Sequence, residues 1–177
     1  KRWNWGERGI SSNPNLTLGM LLAFPGKPWD WKEISSNPAL TLGMLLAFPG
    51  EKWGWRLMSK NPALTLAMLL AFEDKTWNRY WVSSNPALTG EDINDNPGLP
   101  WCWHGVSKNP NLTMKMLLSP RPWDWLIVSE NLFNRDPVVR ARLVGLADAR
   151  DLTFDACRGV LGPLLLPCLA EIVLEFC

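Results

Sequence analysis

Histidine is almost missing from this chain of 177 residues, and so is any excess of charge of one sign. The single histidine, His104, takes the slot that Lys32 and Arg56 hold elsewhere, and it reads as a solvent-facing substitution. Cys102 and His104 supply only half of a zinc site, because no second pair lies at ligand spacing. The 18 basic and 17 acidic side chains nearly cancel, whereas a dedicated nucleic-acid or acidic-surface binder is usually strongly basic. Cysteine is sparse: Cys102, Cys157, Cys168 and Cys177 form no C-x-x-C. They read as reduced thiols in an intracellular setting, not as a disulfide framework. No signal or transit peptide is visible. The apolar tail from Leu164 to Cys177 carries Glu171 and Glu175 and is too short to span a bilayer, so no transmembrane segment is expected. Gly-rich phosphate loops, nucleophile elbows and metal motifs are also lacking. No catalytic, cofactor-binding or metal-ligating residue is therefore assigned, and the chain reads as non-enzymatic.

What is abundant is tryptophan, with 12 residues, none of them after Trp125. Trp-x-Trp pairs stand at Trp3/Trp5, Trp29/Trp31, Trp53/Trp55, Trp101/Trp103 and Trp123/Trp125. An Asn-Pro step recurs in phase at 13–14, 37–38, 61–62, 85–86 and 109–110, always 24 residues apart. A period of this size marks a stacked array whose units are each too small to bury their own apolar face. The pairs read as structural, since residues two apart on a helix point to opposite sides and fill both the core and the seam between units. A base-stacking platform, with Lys32 and Arg56 on phosphates, is the alternative. The near-neutral charge argues against it, so no nucleic acid is expected.

Each unit carries two short helix signals. The first begins at the Pro-Trp step, as in Pro28-Trp29-Asp30-Trp31. Proline suits the first helical position, and an acid in the first turn favours the helix dipole. Asp30 and Asp124 are explained in this way without paired-carboxylate chemistry. The first helix stops at Ser-Ser-Asn-Pro, because the residue before proline is pushed out of helical geometry. The second starts at Thr17, Thr41, Thr65, Thr89 and Thr113, all placed as N-caps. Leu16/Leu21, Leu40/Leu45, Leu64/Leu69, Leu88/Ile93 and Leu112/Leu117 have the spacing of hydrophobic staples. Asp92 after Thr89 comes close to a capping box, and Pro25 and Pro49 end the second helix in the first two units. Helices of about eight residues are marginal alone and persist only through stacking.

Three departures stand out. The first unit has two extra residues between Trp5 and Asn13. In the fourth, Trp77-Asn78-Arg79 replaces Trp-x-Trp, with Trp81 four residues beyond Trp77. The sixth arrives two residues early, and Leu132 follows Asn131 where proline is expected, so the repeat decays near 131. The expected architecture is all-α: helix-turn-helix units of 24 residues stacked as an α-solenoid over 1–131, with a helical C-terminal cap over 132–177. In that cap, Asp136-Pro137 starts a helix, Asp151 or Thr153 starts another, and Gly162-Pro163 precedes a last apolar helix. The tail from Leu166-Pro167 to Leu174 faintly resembles an F-box, but its acid is wrongly spaced, and a capping helix is the reading.

The pattern W-x-W-x-x-I-S-x-N-P-x-L-T, with P-x-x-P-W closing the unit, resembles a Trp-rich repeat family of large double-stranded DNA viruses, the giant viruses. It covers roughly residues 1–131, and unit four, from Ser84-Asn85-Pro86-Ala87-Leu88-Thr89 to Asn96-Pro97-Gly98-Leu99-Pro100-Trp101, lies nearest the family form. The resemblance implies a viral source and brings no catalytic residue with it. The family unit carries charge on the outer face of the threonine-capped helix. Here those positions are Gly19, Leu22 and Ala23 in unit one, Gly43, Leu46 and Ala47 in unit two, and Ala67, Leu70 and Ala71 in unit three. Later units return to Glu91, Asp92 and Lys115. An exposed apolar patch usually marks an interaction surface, so these nine residues are the expected protein interface. The expected role is a structural protein of a large DNA virus particle, a minor capsid or other virion component, made in the host cytoplasm and contacting capsid or virion proteins. The alternative is an intracellular adaptor that holds a host protein.

Overall fold

A computed structural model describes residues 4–5, 9–131, 133, 135, 136 and 139. Units two to five span 29–52, 53–76, 77–100 and 101–122, and Trp123 opens the sixth. Among the described residues the architecture is all-α, with no strand. The first helix of successive units is α2 (Trp31–Ser36), α4 (Trp55–Met58), α6 (Arg79–Ser83), α8 (Trp103–Lys108) and α10 (Trp125–Glu130). The second is α1 (Leu18–Ala23), α3 (Leu42–Ala47), α5 (Leu66–Ala71), α7 (Gly90–Asp95) and α9 (Met114–Leu117). A short 3-10 turn at Ile10–Ser12 stands where unit one should have its first helix, and α2 packs on it.

The helices are shorter than the sequence suggests, at four to six residues each. The reason lies at the Trp-x-Trp step. Pro28 and Trp29 are not helical. Asp30 is the N-cap, accepting from Lys32 N and Glu33 N, so the helix begins at Trp31. Asn78 and Asp124 cap α6 and α10 in the same way. The second helices start where expected. All five threonines accept from the backbone N–H at the third helical position, and Thr89 and Asp92 complete a capping box. Every staple leucine and its partner is buried, none more than 5% exposed.

Three hydrogen-bond ladders tie unit to unit. In the first, the Asn37 amide donates to Ser11 O and Asn13 O of the preceding unit, at 3.0 and 2.9 Å. Its Oδ1 accepts from Ala39 N, so the side chain is satisfied at both ends. Asn61, Asn85, Asn109 and Asn131 repeat this pattern down the stack. Proline keeps the preceding asparagine extended (φ −72°, ψ 130° at Asn37), which aims the amide at the neighbour instead of along its own helix. Asn131 holds the same geometry (φ −74°, ψ 124°) without a following proline. The rung at Asn131 is therefore intact, and Phe133 N donates to its Oδ1.

In the second ladder, fully buried serines accept from the next unit. Asp30 N, Gly54 N, Asn78 N, Cys102 N and Asp124 N donate to Ser11, Ser35, Ser59, Ser83 and Ser107 Oγ. In the third, the first tryptophan of each unit turns its indole N–H back to the end of the previous second helix. Trp29, Trp53, Trp77 and Trp101 donate to Phe24, Phe48, Phe72 and Asn96 O, and Trp123 to Ser119 O. Among the described residues no buried side-chain nitrogen or oxygen lacks a partner. Such full satisfaction matters, because an unpaired buried polar group costs about 1–3 kcal/mol.

The two tryptophans of a pair have separate duties. The first is buried in the core, as Trp29 and Trp53 are. The second opens the first helix and packs edge-on against the first tryptophan of the next unit: Trp31 on Trp53 at 4.9 Å, Trp55 on Trp77 at 5.1 Å, Trp103 on Trp123 at 5.2 Å. Close helix packing is also served by Gly105 of α8, where a Cβ would fall 2.7 Å from Tyr80 O.

The expected cap over 132–177, including the helix starts at Asp136, Asp151 and Thr153 and the F-box-like tail, lies outside the described residues apart from four positions. Phe133 is buried with Val106, Leu117 and Val128. Asp136 accepts from Met114 N, the first residue of α9, and from Val139 N of its own segment. Arg135 reaches Pro86 O and Asn111 Oδ1.

Candidate protein-contact face

The second helices of units one to three set the site. Their sequence is Leu-Gly-Met-Leu-Leu-Ala in α1 and α3 and Leu-Ala-Met-Leu-Leu-Ala in α5. The staple leucine at the fourth helical position points inward and is buried. The leucine after it must then face outward, since successive helical residues are about 100° apart. Leu22, Leu46 and Leu70 are 57%, 58% and 45% exposed, one above another at intervals of 24 residues. Ala23, Ala47, Ala71, Gly19 and Ala67 are exposed beside them, and Phe24 adds a partly exposed ring. Gly43 differs from the other eight residues. It is half-buried, and Leu18 of the unit before approaches to 3.4 Å of where its Cβ would be. It belongs to the seam between α1 and α3, not to the outer row.

Unit four interrupts the row. The register of Leu22, Leu46 and Leu70 falls there on Asn94, with Glu91 and Asp95 exposed around it. Unit five then places Leu118 at that register, 72% exposed just after α9, a continuation that attention to Lys115 alone overlooks. Beside the gap in the row lies an open cleft of about 560 Å³, whose lining mixes Glu91, Asn94, Lys115 and Arg135 with Met114 and Met116.

The outer face of the first helices has its own chemistry. His104 is exposed, as expected, but it is not alone. Its Nδ1 lies 2.6 Å from Asp124 Oδ2, and its ring lies 5.6 Å from that of Tyr80. The His104 hydrogen bond, and then the Ile127 N–H, hold the Asp124 carboxyl below the usual carboxylate range. Trp81 does not restore the missing second tryptophan of unit four. It sits on the outer face, with Lys60 Nζ 3.4 Å and Arg56 5.7 Å from its ring centre. Cys102 carries a free thiol. Among the described residues no three His, Cys, Asp or Glu side chains gather as metal ligands, and no helix is long and apolar enough to cross a membrane.

Comparison with protein-family models, with curated proteins and with solved structures finds no match to this chain.

Proposed function

We propose that this chain is a non-enzymatic scaffold that makes permanent protein–protein contacts through the outer row of its first three units. The observation that carries the reading is the alignment of Leu22, Leu46 and Leu70, each about half exposed at one register. Single exposed leucines are ordinary, but three at one register, with exposed alanines, glycine and Phe24 beside them, make a surface that water does not favour. The face is mostly aliphatic, so the partner presents an apolar face of similar length. Supported by the resemblance to Trp-rich repeat proteins of giant viruses, the setting is the particle of a large DNA virus and the partner a capsid or other virion protein.

Cross-linking mass spectrometry on purified particles tests this, reading links from Lys27, Lys32, Lys52 and Lys75. Links to the shell proteins, lost when Leu22, Leu46 and Leu70 are all changed to Glu, are the expected result. Absence of the protein from particles ends the virion reading. Recovery with one host protein in infected cells, through the same three leucines, moves the scaffold to the adaptor role. Substitutions at the row are expected to change stability by no more than about 0.5 kcal/mol, as at other exposed sites, so lost links report contact and not unfolding.

A further inference from the structure

The indole stack is broken at one place, and a cavity lies at the break. In unit two, Trp31 packs against Phe48 at 5.2 Å and Trp53 at 4.9 Å. In unit three, Trp55 packs against Phe72 at 5.2 Å and Trp77 at 5.1 Å. At the same register unit four has Arg79 in place of the tryptophan and Asn96 in place of the phenylalanine. Only Trp101 is left of the aromatic trio. It still donates to Asn96 O at 2.8 Å, so the backbone of the unit has not closed up around the missing ring. The result is a cavity of about 150 Å³ lined by Leu69, Trp77, Val82, Leu99, Pro100 and Trp101, with Arg79 and Glu73 as its charged side chains. Trp77 and Trp101 are half-buried, whereas Trp29, Trp53 and Trp123 are buried.

We propose that this cavity is a binding site for a planar aromatic ring of about indole size. The repeat itself supplies the reason: Trp101 is in the position whose ring packs against the second tryptophan of the preceding unit elsewhere in the stack, and at Arg79 that tryptophan is missing. The cavity is partly open to solvent and its lining is mostly apolar, with a few charged groups, as in clefts that hold small organic ligands. Trp101 offers an exposed face for an edge-on or offset contact, and the Arg79 guanidinium can cover the outer face of the ring. The site uses none of the leucines of the α1, α3 and α5 row, so it stands or falls apart from the contact face.

The test is fluorine NMR of 5-fluoroindole against the full chain, with N-acetyl-tryptophanamide as competitor. Saturable binding is expected for the natural chain and for Arg79→Ala, and none for Arg79→Trp, whose own indole fills the gap. Competition by N-acetyl-tryptophanamide assigns the ring to a partner's tryptophan side chain. Failure to compete assigns it to a free small molecule, and either result keeps the site. No saturable binding to the natural chain, or equal binding to Arg79→Trp, overturns the proposal. Should Arg79→Trp not fold, the methyl resonances of Val82 and Leu99 in the natural chain decide. They shift on addition of indole if the site is here, and shifts confined to other residues exclude it.

Discussion

In units two and three, a tryptophan at the head of the first helix is clasped between the phenylalanine that follows the second helix of its unit and the tryptophan that opens the next. In unit four the same positions hold Arg79, Asn96 and Trp101, and the second helix reads Gly-Glu-Asp-Ile-Asn-Asp where its neighbours are apolar. Yet the asparagine and serine ladders run through both regions without a missing rung. The difference separates two jobs. Buried polar groups with all partners made set the register of the stack. Aromatic packing and the outer row vary on top of that register.

The largest effects should come from the shared spine. Asn61→Asp places a charge opposite two carbonyl oxygens and is expected to cost about 4 kcal/mol or more, eased at low pH as the carboxyl takes up a proton. Asn61→Ala and Asn109→Ala should each cost about 3 kcal/mol, from the lost bonds and the carbonyls left unpaired. Chemical denaturation checks both. A loss at Asn109 much smaller than at Asn61 would break the claim that one spine serves both regions.

Next comes the aromatic layer. Trp55→Ala should lower stability by about 2–3 kcal/mol, somewhat below the loss for a fully buried tryptophan because Trp55 is only half-buried. Arg79→Ala at the equivalent position should stay within about 0.5 kcal/mol, and Arg79→Trp should raise stability by about 1 kcal/mol. Thermal melting of the three variants sharpens the contrast, and an Arg79→Ala loss equal to that at Trp55 would erase it.

Smaller still are the caps. Thr65→Ala is expected to cost about 1 kcal/mol. Thr89→Ala should cost somewhat more, because Asp92 bonds both its N–H and its hydroxyl. The smallest effect is at the surface. The folded-state pKa of Asp124 lies below its unfolded value of about 3.9. Its contribution is therefore present above that pH and is lost as pH falls through the folded value. The melting temperatures of the natural chain and of Asp124→Asn, which keeps a capping oxygen, should differ at neutral pH and converge in acid.

Much of this was legible from residue spacing. Thr-capped helices and leucine staples are local devices, so five repetitions of the same few residues fix them. The Trp-x-Trp step misled, because proline before tryptophan fits both a first helical turn and an extended approach. The indole N–H of Trp29 settles it by turning back to Phe24 O. The asparagine ladder stayed hidden because Asn-Pro already has a local explanation as a helix stop. Its partners lie 24 and 26 residues away. The available signal was that the residue before proline is asparagine every time, while a helix stop asks for no particular side chain. A second signal was the serine two residues before it at 11, 35, 59, 83 and 107.

Hydrogen–deuterium exchange on the free chain and on the chain within its isolated assembly tests the central claim most directly. The account predicts new protection in α1, α3 and α5, around Leu22, Leu46 and Leu70, and none in α7. Protection centred on α7, or no change in the first three units, would contradict it.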